Sequence, residues 1–143
     1  MDDLDEKLLA ALAADSSTST SRLARRFKVA RSTVQARIER LERSKVISGY
    51  TIRLGEAVTL RRIRGTVLLQ VEPRATPAVL QRLRTMTEVE ACHTTTGRVD
   101  LILSLSVETT QALDETLDEI GTIPGVRTTE SLIHLTTKFD RRI

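Results

Sequence analysis

The chain has 143 residues, 40% of them apolar and 29% charged, with 22 Lys/Arg against 19 Asp/Glu and a net charge of +3. These proportions fit one folded domain or two small ones and exclude wholesale disorder, and no apolar run approaches the roughly 18 residues of a membrane helix. A single cysteine, Cys92, and two histidines, His93 and His134, leave no intramolecular disulfide and argue against a dedicated zinc site.

The acidic start, Met1-Asp2-Asp3-Leu4-Asp5-Glu6, does not read as a secretory signal. The expectation is a cytoplasmic protein with no metal and no cofactor. Leu4, Leu8 and Leu12 recur at helical spacing and predict a first helix over 4–14, with Asp3 and Glu6 placed as a capping box. Ser19 is a good N-cap for a short second helix, Thr20 to Phe27, whose apolar stripe is Leu23, Ala24 and Phe27. Lys28-Val29-Ala30 makes a tight turn. A third helix runs from Arg31 to Ser44 with Val34, Ile38 and Leu41 inward. Two helices joined by so short a turn match a helix-turn-helix.

Residues 1–64 hold 14 basic and 8 acidic residues, and residues 22–45 hold 9 and 2. Residues 65–143 hold 8 and 11. A basic block followed by an acidic remainder points to a nucleic-acid-binding segment joined to a part with another task. At 100° per residue, the third helix turns Ser32, Ala36, Glu39, Arg40 and Arg43 outward when Val34, Ile38 and Leu41 face the core, and Thr33, Gln35 and Arg37 flank them. Small and polar groups at its start suit base edges in a major groove, and Arg37, Arg40 and Arg43 along one side suit phosphates. The candidate DNA contacts are therefore Arg31, Ser32, Thr33, Gln35, Ala36, Arg37, Arg40 and Arg43. The plainer alternative is a solvated face pairing its arginines with Glu39 and Glu42.

From Lys45 the texture changes. Val46 to Leu54 is β-prone, and Gly55 to Arg62 looks like a connector. Then come a strand over 65–71 with Val67, Leu69 and Val71 on one face, a helix over 77–85 opened by Pro77, a strand over 89–96, and a turn at Gly97-Arg98-Val99. A strand over 100–107, a helix over 109–122 with Leu113, Leu117 and Ile120 inward, a turn at Pro124-Gly125 and a long strand over 126–138 complete the chain. The order βαββαβ is that of a ferredoxin-like split βαβ fold. Its open sheet face carries apolar residues such as Leu68, Ile102 and Ile133, enough to want a partner. Cys92 reads as a packed small hydrophobe, and His93 and His134 as ordinary strand residues.

On these residues the chain resembles the Lrp/AsnC family of feast/famine transcriptional regulators. The resemblance rests on Leu4-Asp5, Leu23-Ala24, Arg37-Ile38-Glu39-Arg40-Leu41-Glu42 followed by Val46-Ile47-Ser48-Gly49-Tyr50, and Cys92-His93 with Gly97-Arg98-Val99-Asp100 shortly after. It implies an α+β protein. Residues 1–45 form a three-helix, helix-turn-helix DNA-binding domain, residues 46–62 a β-linker, and residues 63–143 a ferredoxin-like regulatory domain for effector binding and oligomerisation. It also implies double-stranded DNA as partner, homodimers that assemble further, commonly to octamers, and an amino acid or related metabolite bound near Thr96, Gly97, Arg98, Val99 and Asp100. Backbone amides near Gly97 would meet the effector carboxylate and Asp100 its ammonium.

The chain departs from the family pattern at Lys28, where Gly is common, at Ala30, where a Ser cap is common, and at Val99, where an aromatic is common. Gly97 and Asp100 also suit a plain hairpin turn. Two other readings compete: an effector-independent, nucleoid-type architectural protein, and a tetrapyrrole (sirohaem) decarboxylase of similar fold. The decarboxylase needs positioned acid–base groups and a cationic clamp. This chain offers two strand histidines and keeps its arginines mostly in the DNA-type helix, so no enzyme activity is expected.

Overall fold

A computed structural model describes residues 1–142. The chain forms two compact units, residues 1–53 together with 141 and 142, and residues 54–140.

The first unit is three helices: α1 (Asp3–Ala14), α2 (Thr20–Phe27) and α3 (Arg31–Arg43). α1 is closed by a capping box one residue earlier than expected. The Asp2 carboxylate accepts the Asp5 amide at 3.0 Å, and the Asp5 carboxylate accepts the Asp2 amide at 3.3 Å. Asp5 is itself gripped by α3, so a tertiary contact selects this register over Asp3 with Glu6. α2 starts at Ser19, whose hydroxyl accepts the Arg22 amide at 3.1 Å. It stops because Lys28 turns left-handed, with φ 56° and ψ 47°. Ala30 is extended and offers α3 no side-chain cap. Leu8, Ala11, Leu23, Ala24 and Val34 form the core, with Leu4, Leu12, Phe27, Val29 and Ile38 packed on it.

Residues 46–55 form no strand, contrary to their β-prone composition. A strand needs a ladder partner to satisfy its backbone, and the described residues supply none here. Val46, Tyr50, Ile52 and Leu54 are left exposed. The connector contains one short helix, α4 (Glu56–Thr59).

The second unit has β1 (Ile63–Val71), α5 (Thr76–Arg84), β2 (Val89–Thr94), β3 (Leu101–Val107), α6 (Thr110–Gly121) and β4 (Val126–Ile133). All pairings are antiparallel, in the order β2-β3-β1-β4. Alternation along β1 and β3 buries Val67, Leu69, Val71, Leu101, Leu103 and Leu105 against Val79 and Leu83 of α5 and Ile120 of α6. β4 ends five residues short of the expected Lys138. Its partner residue for Ile133 is Gly65, near the start of β1, so the ladder runs out there. The same register corrects the open face. Ile133 lies over Gly65, on the side of Val67 and Leu69, and Leu132 joins Leu68 and Ile102 on the other side.

Candidate nucleic-acid interface and effector turn

The outward arc of α3 follows from its buried side. Val34 and Leu41 are buried and Ile38 half-buried, which leaves Arg31, Ser32, Gln35, Ala36, Arg40 and Arg43 exposed and Thr33 half-buried beside them. Gln35 donates to Glu39 at 3.3 Å along the helix.

Two of the three arginines along this side, Arg37 and Arg40, form ion pairs with α1. Arg40 meets the Asp5 carboxylate at 2.9 Å. Arg37 meets the same carboxylate at 3.3 Å and also pairs with Asp2. The Asp5 side chain is 1% exposed and that of Arg37 only 26%. The Arg37 guanidinium, with the Asp5 amide, holds the Asp2 carboxyl down to about 2. Burial works against the Asp5 charge, but the Asp2 amide and Arg37 outweigh it and keep that carboxyl below its ordinary value. Of the three arginines, only Arg43 has no carboxylate partner among the described residues.

The structure adds cations that the residue-by-residue reading passed over. Arg22, Arg25 and Arg26 of α2 and Lys28 of the turn are exposed and form no salt bridge among the described residues. The dense basic count over 22–45 was the signal for them.

The second candidate site is the turn between β2 and β3. Gly97 has φ +102°, a conformation L side chains rarely adopt, and open space where a Cβ would stand. The turn is braced from within: Thr95 donates through its hydroxyl to the Val99 carbonyl at 2.9 Å, and its amide donates to the Asp100 carbonyl at 3.1 Å. It is braced from β1, where the Gln70 amide group donates to the Arg98 carbonyl at 2.7 Å. Arg98 reaches Glu130 of β4 at 2.8 Å. Asp100 has a structural task. Its amide donates to the Leu69 carbonyl, and one carboxylate oxygen accepts the Val71 amide, both at 2.8 Å. The other oxygen stays available. The amides of Gly97, Arg98 and Val99 find no acceptor among the described residues. Thr96, Gly97 and Arg98 are exposed and Val99 is half-buried.

Cys92 and the histidines do not join this turn's chemistry. Burial pushes the Cys92 thiol up, against the opposing charge of Arg84. His134 shares a 2.9 Å hydrogen bond with the Thr66 hydroxyl. Among the described residues no group of three His, Cys, Asp or Glu could hold a metal ion, and no helix is long and apolar enough to cross a membrane.

Residues 1–42 match the AsnC-type helix-turn-helix domain, and residues 65–143 the Lrp/AsnC ligand binding domain. The chain belongs to the Lrp/AsnC family. Its relatives in that family include the HTH-type transcriptional regulator LrpA of Mycobacterium tuberculosis, 34% identical over 99% of this chain and 95% of the relative. LysM of Saccharolobus solfataricus is 31% identical over 97% and 96%. The solved structure of Escherichia coli AsnC superimposes with a TM-score of 0.88 at 25% identity, covering 100% of this chain and 97% of that one. A Neisseria meningitidis regulator, NMB0573, solved as a complex with L-Met, shares the fold with a TM-score of 0.87 at 22% identity, over 98% and 93%. The protein is thus an Lrp/AsnC-type transcriptional regulator, with its helix-turn-helix in α1–α3 and the β2–β3 turn inside the ligand-binding domain.

Proposed function

We propose that α3 enters a DNA major groove with Arg31, Ser32, Thr33, Gln35 and Ala36 toward base edges, while Arg43, Arg22, Arg25, Arg26 and Lys28 hold phosphates. The carrying observation is that these five cations, unlike Arg37, form no salt bridge among the described residues and cluster on α2, α3 and the turn between them. Phosphate contacts fix orientation and base-edge contacts select sequence. Binding to a mixed-sequence duplex falls with salt, and each of these cations removed lowers the slope of log K against log salt by about 0.9. An unchanged slope on replacing Arg43 and Arg26 together refutes this face.

The β2–β3 turn binds a free amino acid. Its unpaired amides meet the carboxylate, and the second Asp100 oxygen accepts the ammonium. An effector carrying both charges needs both partners at once, and Gly97 and Asp100 lie three residues apart in the chain. The regulator crystallised with L-Met supports this ligand class. The working form is a homodimer or larger assembly. Leu68, Ile102 and Leu132 lie on the sheet side opposite the one packed against α5 and α6. The effector acts by preferring one assembly or domain arrangement over another.

A thermal-shift screen against the amino acids tests the effector. A ligand at 100 times its dissociation constant adds about 2.7 kcal/mol. A selective shift that Asp100→Asn abolishes supports the reading. No shift for any amino acid, with DNA binding intact, favours the architectural reading, for which the engagement of Asp100 with Val71 is the structural argument.

A further inference from the structure

Asp2 and Asp5 on α1 face Arg37 and Arg40 on α3 across the first unit. Two carboxylates meet two guanidiniums, so the cluster is neutral. It is also not sealed. The Arg40 side chain is 58% exposed and that of Asp2 54%. A shallow depression lined by Asp2, Asp5, Arg40 and Ser44 opens beside them. Arg40 lies on the same helix face as Ala36 and Arg43, within a helical turn of each. A phosphate against that face sits within the roughly 10 Å over which charges are felt at 0.1 M salt.

We infer that Asp2 and Asp5 are an internal counter-ion for the DNA-reading helix, withholding the charge of Arg37 and Arg40 from phosphates and so holding down the sequence-independent part of DNA affinity. The inference rests on the proposed reading of α3. Charge neutralisation of phosphates raises affinity for every sequence alike, whereas base-edge contacts do not. Two uncompensated arginines in mid-helix would add only the unselective part. Asp5 has a second role as a positioning residue. It ties the start of α1 to the middle of α3. Replacing a residue that only stabilised the domain would leave the salt slope unchanged. Replacing the counter-ion steepens it on every duplex.

The test uses the full chain and its Asp2→Asn, Asp5→Asn and Arg43→Ala variants, titrated with salt against a mixed-sequence duplex and against a duplex enriched by selection on the wild-type protein. Asn is a good N-cap, so Asp2→Asn keeps α1 closed. Either Asn variant gives the cluster one net positive charge. The expected result is a log–log salt slope steeper by up to about 0.9 per protomer. Affinity for both duplexes then rises by the same factor, up to roughly eight-fold at 0.1 M relative to 1 M salt. Weaker binding to both duplexes, or an unchanged slope for Asp2→Asn, overturns the inference, and Asp2→Asn decides the matter should Asp5→Asn fail to fold. Arg43→Ala distinguishes the two failures. A slope reduced by about 0.9 in that variant upholds α3 as the DNA face. A slope left unchanged there removes both the reading and the inference.

Discussion

Gly97 and Gly125 both have positive φ, +102° and +99°, yet alanine at the two positions should have very different consequences. At Gly97 a Cβ would meet nothing within 4 Å. The cost is then the left-handed backbone alone, about 1–2 kcal/mol. At Gly125 the Cβ would stand 2.2 Å from the Ala75 Cβ and 3.5 Å from a Val79 methyl. Neither neighbour is the far end of a flexible chain, so the Pro73–Ala75 turn must move. Overpacking of this kind adds about 1–3 kcal/mol, for a total near 2–5 kcal/mol. The displacement also strains the bond from the Glu72 amide to the Gly125 carbonyl, 2.8 Å long. Denaturant unfolding of the two variants, followed by circular dichroism, measures the difference. In a domain of this size each kcal/mol is worth about 4–8 °C in melting temperature. Equal destabilisation of the two variants would refute the steric part of the reasoning, and stabilisation of either would refute the torsional part. Gly97→Ala has a functional readout as well. It re-aims the unpaired amides, so an amino-acid-induced thermal shift should vanish while the fold survives.

The remaining expectations concern the first unit and the thiol. The Asp2 carboxyl sits at about 2 when folded against an ordinary 3.8. Its contribution is therefore complete above the ordinary value and is lost as pH falls through the folded one. Acid titration of the first unit's helical signal should be flat down to about pH 5 and decline between about 4 and 2, and less so in Asp2→Asn. A loss of structure near neutral pH would contradict this. Lys28→Gly relieves a left-handed non-glycine residue with φ 56°. It should stabilise the first unit by up to about 1 kcal/mol in a melt while weakening DNA binding through the lost charge. Unchanged or lower stability would show that the turn tolerates lysine without strain. Because burial pushes the Cys92 thiol up, its alkylation at mildly alkaline pH should be slower than that of glutathione. Faster labelling would disprove that environment.

Much of this architecture is legible in the residue pattern. Ser19 marks the start of α2, and Lys28-Val29-Ala30 the turn after it. The spacing of Val34, Ile38 and Leu41 identifies the buried side of α3. The alternation Val67, Leu69, Val71 and its counterpart on β3 identifies the core face of the sheet. Local spacing alone does not fix the cap of α1, because Asp2, Asp3, Asp5 and Glu6 all satisfy local capping rules. Only the arginines of α3 distinguish among them. The placing of Ile133 depended on register, which shifts by a bulge between Gln70 and Val71. A slip of one residue in a strand exchanges its faces.

What the sequence determines by itself is local: helical and strand periods, caps, glycine turns and a basic block, each set by the chemistry of residues a few positions apart. From those follow a helix-turn-helix and a βαββαβ unit. The tertiary structure alone decides which charges remain available. Arg37, Arg40 and Arg43 share one helix and look alike in the chain. Residues 32 and 35 positions away neutralise the first two, and no described carboxylate meets the third. Asp100 likewise reads as a free acceptor until β1 brings the Val71 amide to one of its oxygens. The physical reason is the same in both cases. Electrostatic and hydrogen-bond partners are chosen by distance in space, and no periodicity along the chain records which distant residues folding will bring together.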